Sequence, residues 1–402
     1  MQYDFDSPAS AVLSPGLLPV EAIQDLAAKF DGPVYAYSRT GLEDRARLLQ
    51  ALPAPFGLTV RYAVKANPHP TIIGIFHEAG LAFDASSSYE AAALLKQGVP
   101  GAAISLSSQQ PAHNLSELLE AGVKYVATSM HQLKLFAGTA GHGGRVALRV
   151  NAAAGSGYSN GTTTTGMAAS FGLWHEYVDE ALSFADRHHI IIDRLHTHAG
   201  TGSDPAGWGK VIDAALAVAE RMPQVVTVDI GGGFKVHRFG NEPETDMVEI
   251  VDVLNAKLGA FEQKTGRRLN AEIEPGTWLV AHSGCLIAKI VDIVDTGSNG
   301  FTFLRTNTGM NDFLRPALHG AQHAMRVIGS GEGEEDYVVV GHNCESSDVL
   351  TTALHDPQTI EARRLAKAAI GDLLVIEDTG AYCASMRLKG YNSYPEAAEV
   401  FI

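Results

Sequence analysis

Arg61-Tyr62-Ala63-Val64-Lys65-Ala66-Asn67-Pro68 closes an apolar, partly β-branched run that begins at Leu58, and the Asn-Pro pair stops it. The pattern is that of a buried strand with Lys65 at its end. A lysine held there by a rigid, apolar surround loses part of its preference for the charged form and becomes an amine able to attack a carbonyl. A surface lysine closing a strand would be written the same way. Which of the two holds depends on the residues the rest of the chain brings beside it.

From Leu58 onward the chain repeats a strand, a loop and a helix. The strand candidates are residues 58–66, 81–85, 102–106, 125–128, 145–151, 192–198, 225–230 and 269–273, eight in all. Helical spacing fills the gaps, as at 88–97 and at 114–121, where Gly122 supplies the stop. Eight such units over roughly 230 residues give an α/β chain whose expected architecture is a closed, TIM-like (β/α)8 barrel. An open doubly wound sheet would call for GxGxxG after its first strand, and the sequence has none there.

Ahead of the barrel, 20–30 reads as a short helix ended by Gly32-Pro33, 34–37 as a strand, and 40–52 as a helix started by Thr40 and broken by Pro53. Beyond Ser283 the alternation gives way to β-rich runs at 285–294, 300–305, 336–340 and 373–377, with a helical break at 360–369. A C-terminal β-sandwich or β-barrel domain is expected, joined by the N-terminal strand. The implied division is 1–38 with the β domain, 39–283 as the barrel and 284–402 as the β domain. The polar stretches 155–166 and 329–335 are expected to be mobile loops.

Composition narrows the function. With 402 residues, 46% hydrophobic and 19% charged, the chain can bury the cores of two domains. A formal charge of −15 disfavours nucleic acid or an anionic membrane as partner, because either needs a basic face. Cys285, Cys344 and Cys383 form no CxxC pair, so neither a disulfide framework nor structural zinc is expected, and a reducing cytoplasm fits. Residues 1–17 have no basic segment before an apolar run, and no apolar run reaches 18 residues.

Barrel chemistry gathers at the C-terminal strand ends. These carry Lys65, Asp84 with Ser86, Arg149, His196 with His198, Gly231-Gly232-Gly233, and Glu274-Pro275-Gly276. An amine, a base, a side-chain-free loop and a carboxylate at one mouth suit a phosphorylated aldehyde. Backbone N–H groups of Gly231–Gly233, at the start of a following helix, could approach its phosphate. Glu274 is costly to bury without a cation, and a protonated ring nitrogen would be one. His198 could stack on a flat ring. Taken singly, each has an ordinary role: a turn for the glycines, a structural carboxylate, a packed histidine. In the β domain, Cys344 lies in the polar His342–Asp348 loop and could be reactive, while Tyr382 could reach a phosphate or simply pack.

YAVKAN, HTHAGTGSDP, VDIGGGF, EIEPG, GMNDFLRPAL, CESSD and GAYCASM follow one another in a single order. In this the chain resembles the fold-type III pyridoxal-phosphate decarboxylases, and among them the diaminopimelate decarboxylases, from about Val34 to Val400. The resemblance implies Lys65 as the Schiff-base lysine, Glu274 as partner of the pyridine nitrogen and His198 as the stacking ring. It implies Gly231, Gly232, Gly233, Gly276 and Tyr382 as the phosphate cradle, with Asp84, Arg149 and Thr201 also near the cofactor. Cys344, as proton donor, and Glu345 would reach the neighbour's site across a homodimer. A small amino acid would be the substrate, losing CO2.

Two departures bear on that substrate. The family's usual EPGR reads Glu274-Pro275-Gly276-Thr277 here, and its RPALY reads RPALH, so Arg315 remains while Thr277 and His319 replace an arginine and a tyrosine. Thr277 cannot clamp a carboxylate as an arginine does. Beside meso-diaminopimelate, the expected substrates therefore include lysine, ornithine in either configuration and a carboxylated polyamine precursor.

Overall fold

The computed structural model describes residues 16–153, 165–198 and 200–402, so nearly all of the expected 155–166 loop lies outside the described residues. The chain divides into two compact units. One comprises Thr40–Lys235 and Glu244–Val280; the other comprises Met1–Arg39, Val236–Pro243 and Ala281–Ile402. The short excursion Val236–Pro243, read from the sequence as barrel, groups with the β unit.

The first unit is the barrel. Its parallel strands follow the chain around the ring: Leu58–Ala63, Ala82–Ala85, Ile104–Ser107, Lys124–Ala127, Arg145–Asn151, Ile191–His196, Thr227–Asp229 and Asn270–Ile273. The last pairs back with the first, which closes the barrel. Each coincides with a strand expected from the sequence. The first strand ends three residues early, at Ala63, and Lys65 sits in a single 3-10 turn, Val64–Ala66. No helix among the described residues is long and apolar enough to cross a membrane.

Strand side chains alternate in and out with a period of two. Counting back from Glu274 gives Glu272, from His196 gives Arg194, and from Ala63 gives Arg61. These three form an ion triad inside the barrel. Arg61 donates Nε and Nη2 to Glu272 at 2.9 and 2.7 Å, and Arg194 donates Nη1 to Glu272 at 2.7 Å and Nη2 to Ser105 Oγ at 2.7 Å. Burial alone would raise the Glu272 pKa, but the two guanidiniums win and hold it down to about 2. Because this carboxyl's folded pKa is depressed, its stabilising contribution is present above its ordinary pKa of about 4.3 and is lost as pH falls toward 2. Glu272→Gln leaves two buried cations uncompensated and is expected to cost about 3–5 kcal/mol in denaturant unfolding at neutral pH. A variant as stable as the parent would mean that the triad is not what fills the barrel floor.

The second unit is an eight-stranded, mostly antiparallel sheet. Its path runs Met325–Ile328, Leu373–Ile376, Gly284–Asp295, Thr302–Thr306, Glu334–Val340, Arg363–Ala366, and Val34–Tyr37 bridges Gly284–Asp295 and Ala398–Phe401. Met325 and Leu365, from the two ends of that path, share one core with Tyr35, Leu304 and Phe313, so the sheet curls over on itself. The helical break expected at 360–369 is not helix but holds the strand Arg363–Ala366, with irregular chain on either side. Arg363 and Leu365 turn inward and Arg364 and Ala366 outward, and this period-two burial overrides the helix preference of Ala, Arg and Leu.

Candidate active site

Loop chemistry fixes the lysine's neighbours. After the strand Ala82–Ala85, Ser87 caps the helix Ser88–Lys96 by accepting the Glu90 N–H at 3.1 Å. The Glu90 carboxylate returns to accept the Ser86 N–H at 2.6 Å, which fixes Ser86 at the strand end. The Lys65 ammonium donates to Ser86 Oγ at 3.2 Å and lies 3.5 Å from Asp84 Oδ2. Its side chain is 41% exposed and its neighbours are polar, so the rigid apolar surround expected from the sequence is not what holds it.

Across the barrel mouth, Glu274 is buried and its pKa is pushed up to about 7 by burial and by Asp84, against the pull of Lys65, Asp229 and Arg149. Asp229, also buried, is pushed up for the same reasons, burial first and Glu274 second. Its Oδ1 accepts the Gly231 N–H at 2.9 Å. His196 Nε2 lies 3.5 Å from Glu274, and burial drives that imidazole down to about 4, so it is neutral at pH 7. His198 is likewise driven well down by burial and by Arg149 and Lys65, and its Nδ1 accepts the Gly232 N–H at 3.0 Å. The accepting Nδ1 fixes the tautomer, with the proton on Nε2. Arg149 stacks over Phe171 at 5.1 Å.

The glycines are needed twice over. Gly231 and Gly233 have φ of +73° and +107°, and a Cβ on Gly232 would lie 2.0 Å from the Glu274 carbonyl oxygen. The helix expected to start directly after them does not. Phe234 bridges to Gly202 instead, and the next helix is Met247–Thr265. Gly276 and Thr277 open only a four-residue helix, Thr277–Val280, and Thr201 lies at the end of the loop from His198.

Asp84 Oδ1, Asp229 Oδ2 and Glu274 Oε1 are buried without a hydrogen-bond partner among the described residues. Buried carboxylate oxygens left unpartnered call for a donor or a cation. A protonated ring nitrogen would answer that need at Glu274, beside uncharged histidine rings and a loop of bare backbone. His196, Asp229 and Glu274 also offer one ligand atom each within 4.8 Å of one another, a spacing that a metal ion could use.

The barrel thus brings together Lys65, Asp84, Arg149, His198, Gly231–Gly233 and Glu274, as the strand ends imply. Ser86 was named from sequence only as a strand-end residue, and Glu90 and Asp229 were not singled out at all. Asp229 could have been found by counting two back from Gly231.

The β unit holds the remaining candidates. Cys344 is exposed, and its N–H donates to Asn392 Oδ1 at 2.7 Å. Glu345 accepts from Tyr391 OH at 3.1 Å and from Ser347 N at 3.3 Å, and these hydrogen bonds hold its carboxyl below the usual range. Asp348 fastens the loop from within, accepting from Met310 N and Asn343 N at 2.6 and 2.8 Å. Tyr382 has φ +56°, a left-handed backbone unusual for a bulky residue. Arg315 opens the helix Arg315–His319, whose His319 is kept low by burial and by Arg315. Cys285 and Cys383 are buried, and burial pushes both thiols up, Cys383 to about 11.

The family model described as pyridoxal-dependent decarboxylase, pyridoxal binding domain, matches residues 42–281. A diaminopimelate decarboxylase from Streptomyces coelicolor is 30% identical over 399 residues, covering 96% of this chain and 88% of that protein. A crystal structure of a diaminopimelate decarboxylase superposes with a TM-score of 0.88 at 31% identity, covering 98% and 94% of the two chains. The enzyme of that name from Helicobacter pylori, crystallised with L-lysine, superposes at 0.84 and 25% identity, covering 94% and 93%. With a matching family model over most of the chain and a barrel whose orphaned carboxylates and glycine loop suit the cofactor, the chain belongs to the pyridoxal-phosphate-dependent amino-acid decarboxylases.

Proposed function

We propose that the chain decarboxylates meso-diaminopimelate to L-lysine and CO2, in the cytoplasm, as a homodimer whose protomers complete each other's sites. The observation that carries the chemistry is Glu274, a buried carboxyl near neutrality beside Asp229 and a neutral His196. When bound, pyridoxal phosphate supplies a carbonyl that captures amines and a ring that takes up the electron pair left as CO2 departs.

The protein does the rest. Lys65 would hold the cofactor's aldehyde carbon through its amine. Glu274 keeps a proton on the ring nitrogen, which its raised pKa suits it to share. Neutral His198 offers an uncharged ring face, so it does not compete with that proton. Gly231–Gly233, Gly276, Thr201 and Tyr382 hold the phosphate, and Asp84 and Arg149 flank the cofactor. Cys344, exposed and in a fastened loop, returns a proton to Cα. Arg315, Glu345, Thr277, His319 and Tyr382 meet the distal end of the substrate.

The names of the similar proteins and the retention of Arg315 and Glu345 support diaminopimelate. Thr277 supports a second reading, decarboxylation of lysine, ornithine or a carboxylated polyamine precursor, because its hydroxyl carries no charge for a distal carboxylate. A CO2-release panel separates them. Turnover of meso-diaminopimelate far above L- and D-lysine and L- and D-ornithine is the expected outcome. Strong ornithine turnover with none of diaminopimelate would replace the first reading by the second, and a loaded dimer inert toward all five would make the chain a non-catalytic relative.

A further inference from the structure

His196, Asp229 and Glu274 end three neighbouring strands of the barrel, and the fold leaves one atom of each unused. In the parallel register His196 stands opposite Asp229 and Asp229 opposite Glu272, so Glu274, two residues on, faces the same interior. The three are 2%, 1% and 5% exposed. His196 Nε2, Asp229 Oδ2 and Glu274 Oε1 have no hydrogen-bond partner among the described residues. Each such atom is costly to bury, and here three converge.

The remaining atoms of the three side chains are positioned by neighbours. Asp229 Oδ1 accepts the Gly231 N–H at 2.9 Å, which turns Oδ2 away from that loop. Ser107 Oγ lies 3.4 Å from His196 Nδ1 and can accept its N–H, leaving the Nε2 lone pair free on a ring that is neutral at pH 7. Glu274 is fixed through its backbone, its N–H donating to the Gly231 carbonyl at 2.8 Å. A proton shared between the two carboxyls would satisfy two of the three atoms and leave the imidazole lone pair facing them. A ring nitrogen held by Glu274 would leave both Asp229 and His196 unanswered. A cation answers all three.

The spacing suits one. The three ligand atoms lie within 4.8 Å of one another. His196 Nε2 and Glu274 Oε2 are 3.5 Å apart, close to the ~3.4 Å between two ligands of a tetrahedral ion bound at about 2.1 Å. One imidazole nitrogen with two carboxylate oxygens suits Zn2+ or a similar transition ion better than Mg2+ or Ca2+, which prefer oxygen alone.

We propose that in the cofactor-free protein His196, Asp229 and Glu274 bind one divalent transition-metal ion, and that this ion keeps pyridoxal phosphate from loading. The second half rests on the role given to Glu274 above, because one carboxylate cannot serve both the ion and the ring nitrogen.

The test uses the full chain stripped of cofactor and metal, with Co2+ as the probe and Mg2+ as the contrast. Equilibrium dialysis and the visible Co2+ spectrum are expected to show one ion per chain, with Mg2+ failing to displace it. Asp229→Asn and His196→Gln are expected to hold Co2+ at least tenfold more weakly. Their melting temperatures without metal show whether each variant is folded, and the wild-type spectrum reports the ligands even if one is not. The exposed, stacked rings of His142 and His189 are the obvious competing place for such an ion, so His142→Ala is the control and should bind as the wild type does. No bound Co2+ in the wild type would overturn the proposal, as would binding lost in His142→Ala and kept in Asp229→Asn and His196→Gln. Loading of pyridoxal phosphate, followed by its absorbance, should slow at least tenfold with bound Co2+ and recover on adding a chelator. Tight Co2+ binding with unchanged loading would uphold the three-residue site, overturn the exclusion of the cofactor and remove Glu274 from the ring nitrogen.

Discussion

Lys65→Ala is expected to lower decarboxylation by roughly a thousandfold or more and to leave the cofactor dissociable by dialysis. The amine at this position lies at the strand end, flanked by Ser86 at 3.2 Å and Asp84 at 3.5 Å, where it could anchor an aldehyde. Alanine retains the turn Val64–Ala66 but removes the nucleophile. Lys65→Arg sharpens the result. It keeps the positive charge facing Asp84, yet a guanidinium does not give up its proton to become a nucleophile. Equal loss in both variants would show that the amine, not the charge, is what the reaction uses, and near-wild-type turnover in either would remove Lys65 from the chemistry.

Glu274→Gln is expected to lower kcat by roughly a hundredfold to ten-thousandfold while the cofactor stays attached to Lys65. Glutamine keeps the shape of the side chain but offers no negative charge to hold a proton on the ring nitrogen. The same variant has a signature in cofactor-free protein. The folded pKa of Glu274 is raised to about 7, so its neutral form is the one the fold favours. Its contribution to stability is therefore complete below the ordinary pKa of about 4.3 and is lost as pH rises through 7. Glu274→Gln should flatten that fall between pH 5 and 8, measured as melting temperature against pH. The fall is reduced rather than removed, because Asp229 is pushed in the same direction. Unchanged kcat in Glu274→Gln would transfer the ring-nitrogen role to Asp229.

The barrel could be read in the sequence because each strand is a short apolar run bounded by turn residues, and the runs recur often enough to count. The strand-end residues followed from that count and from the general habit of such barrels. What escaped was polar and inward-facing. Arg61, Arg194 and Glu272 look like surface residues in a strand until the period of two is traced from Ala63, His196 and Glu274, and only the closed ring shows that they meet. Asp229 escaped for the same reason, hidden beside a glycine loop that drew attention to its backbone. At 360–369 the residues favour helix locally, and burial against the curled sheet decides otherwise.

The central claim, that Lys65 anchors the cofactor at the mouth of this barrel, is tested most directly by borohydride reduction of the loaded protein followed by peptide mass spectrometry. The expected result is a single pyridoxyl group on the peptide containing Tyr62-Ala63-Val64-Lys65-Ala66-Asn67. A pyridoxyl group on any other lysine, or none on a protein that still releases CO2, would contradict it.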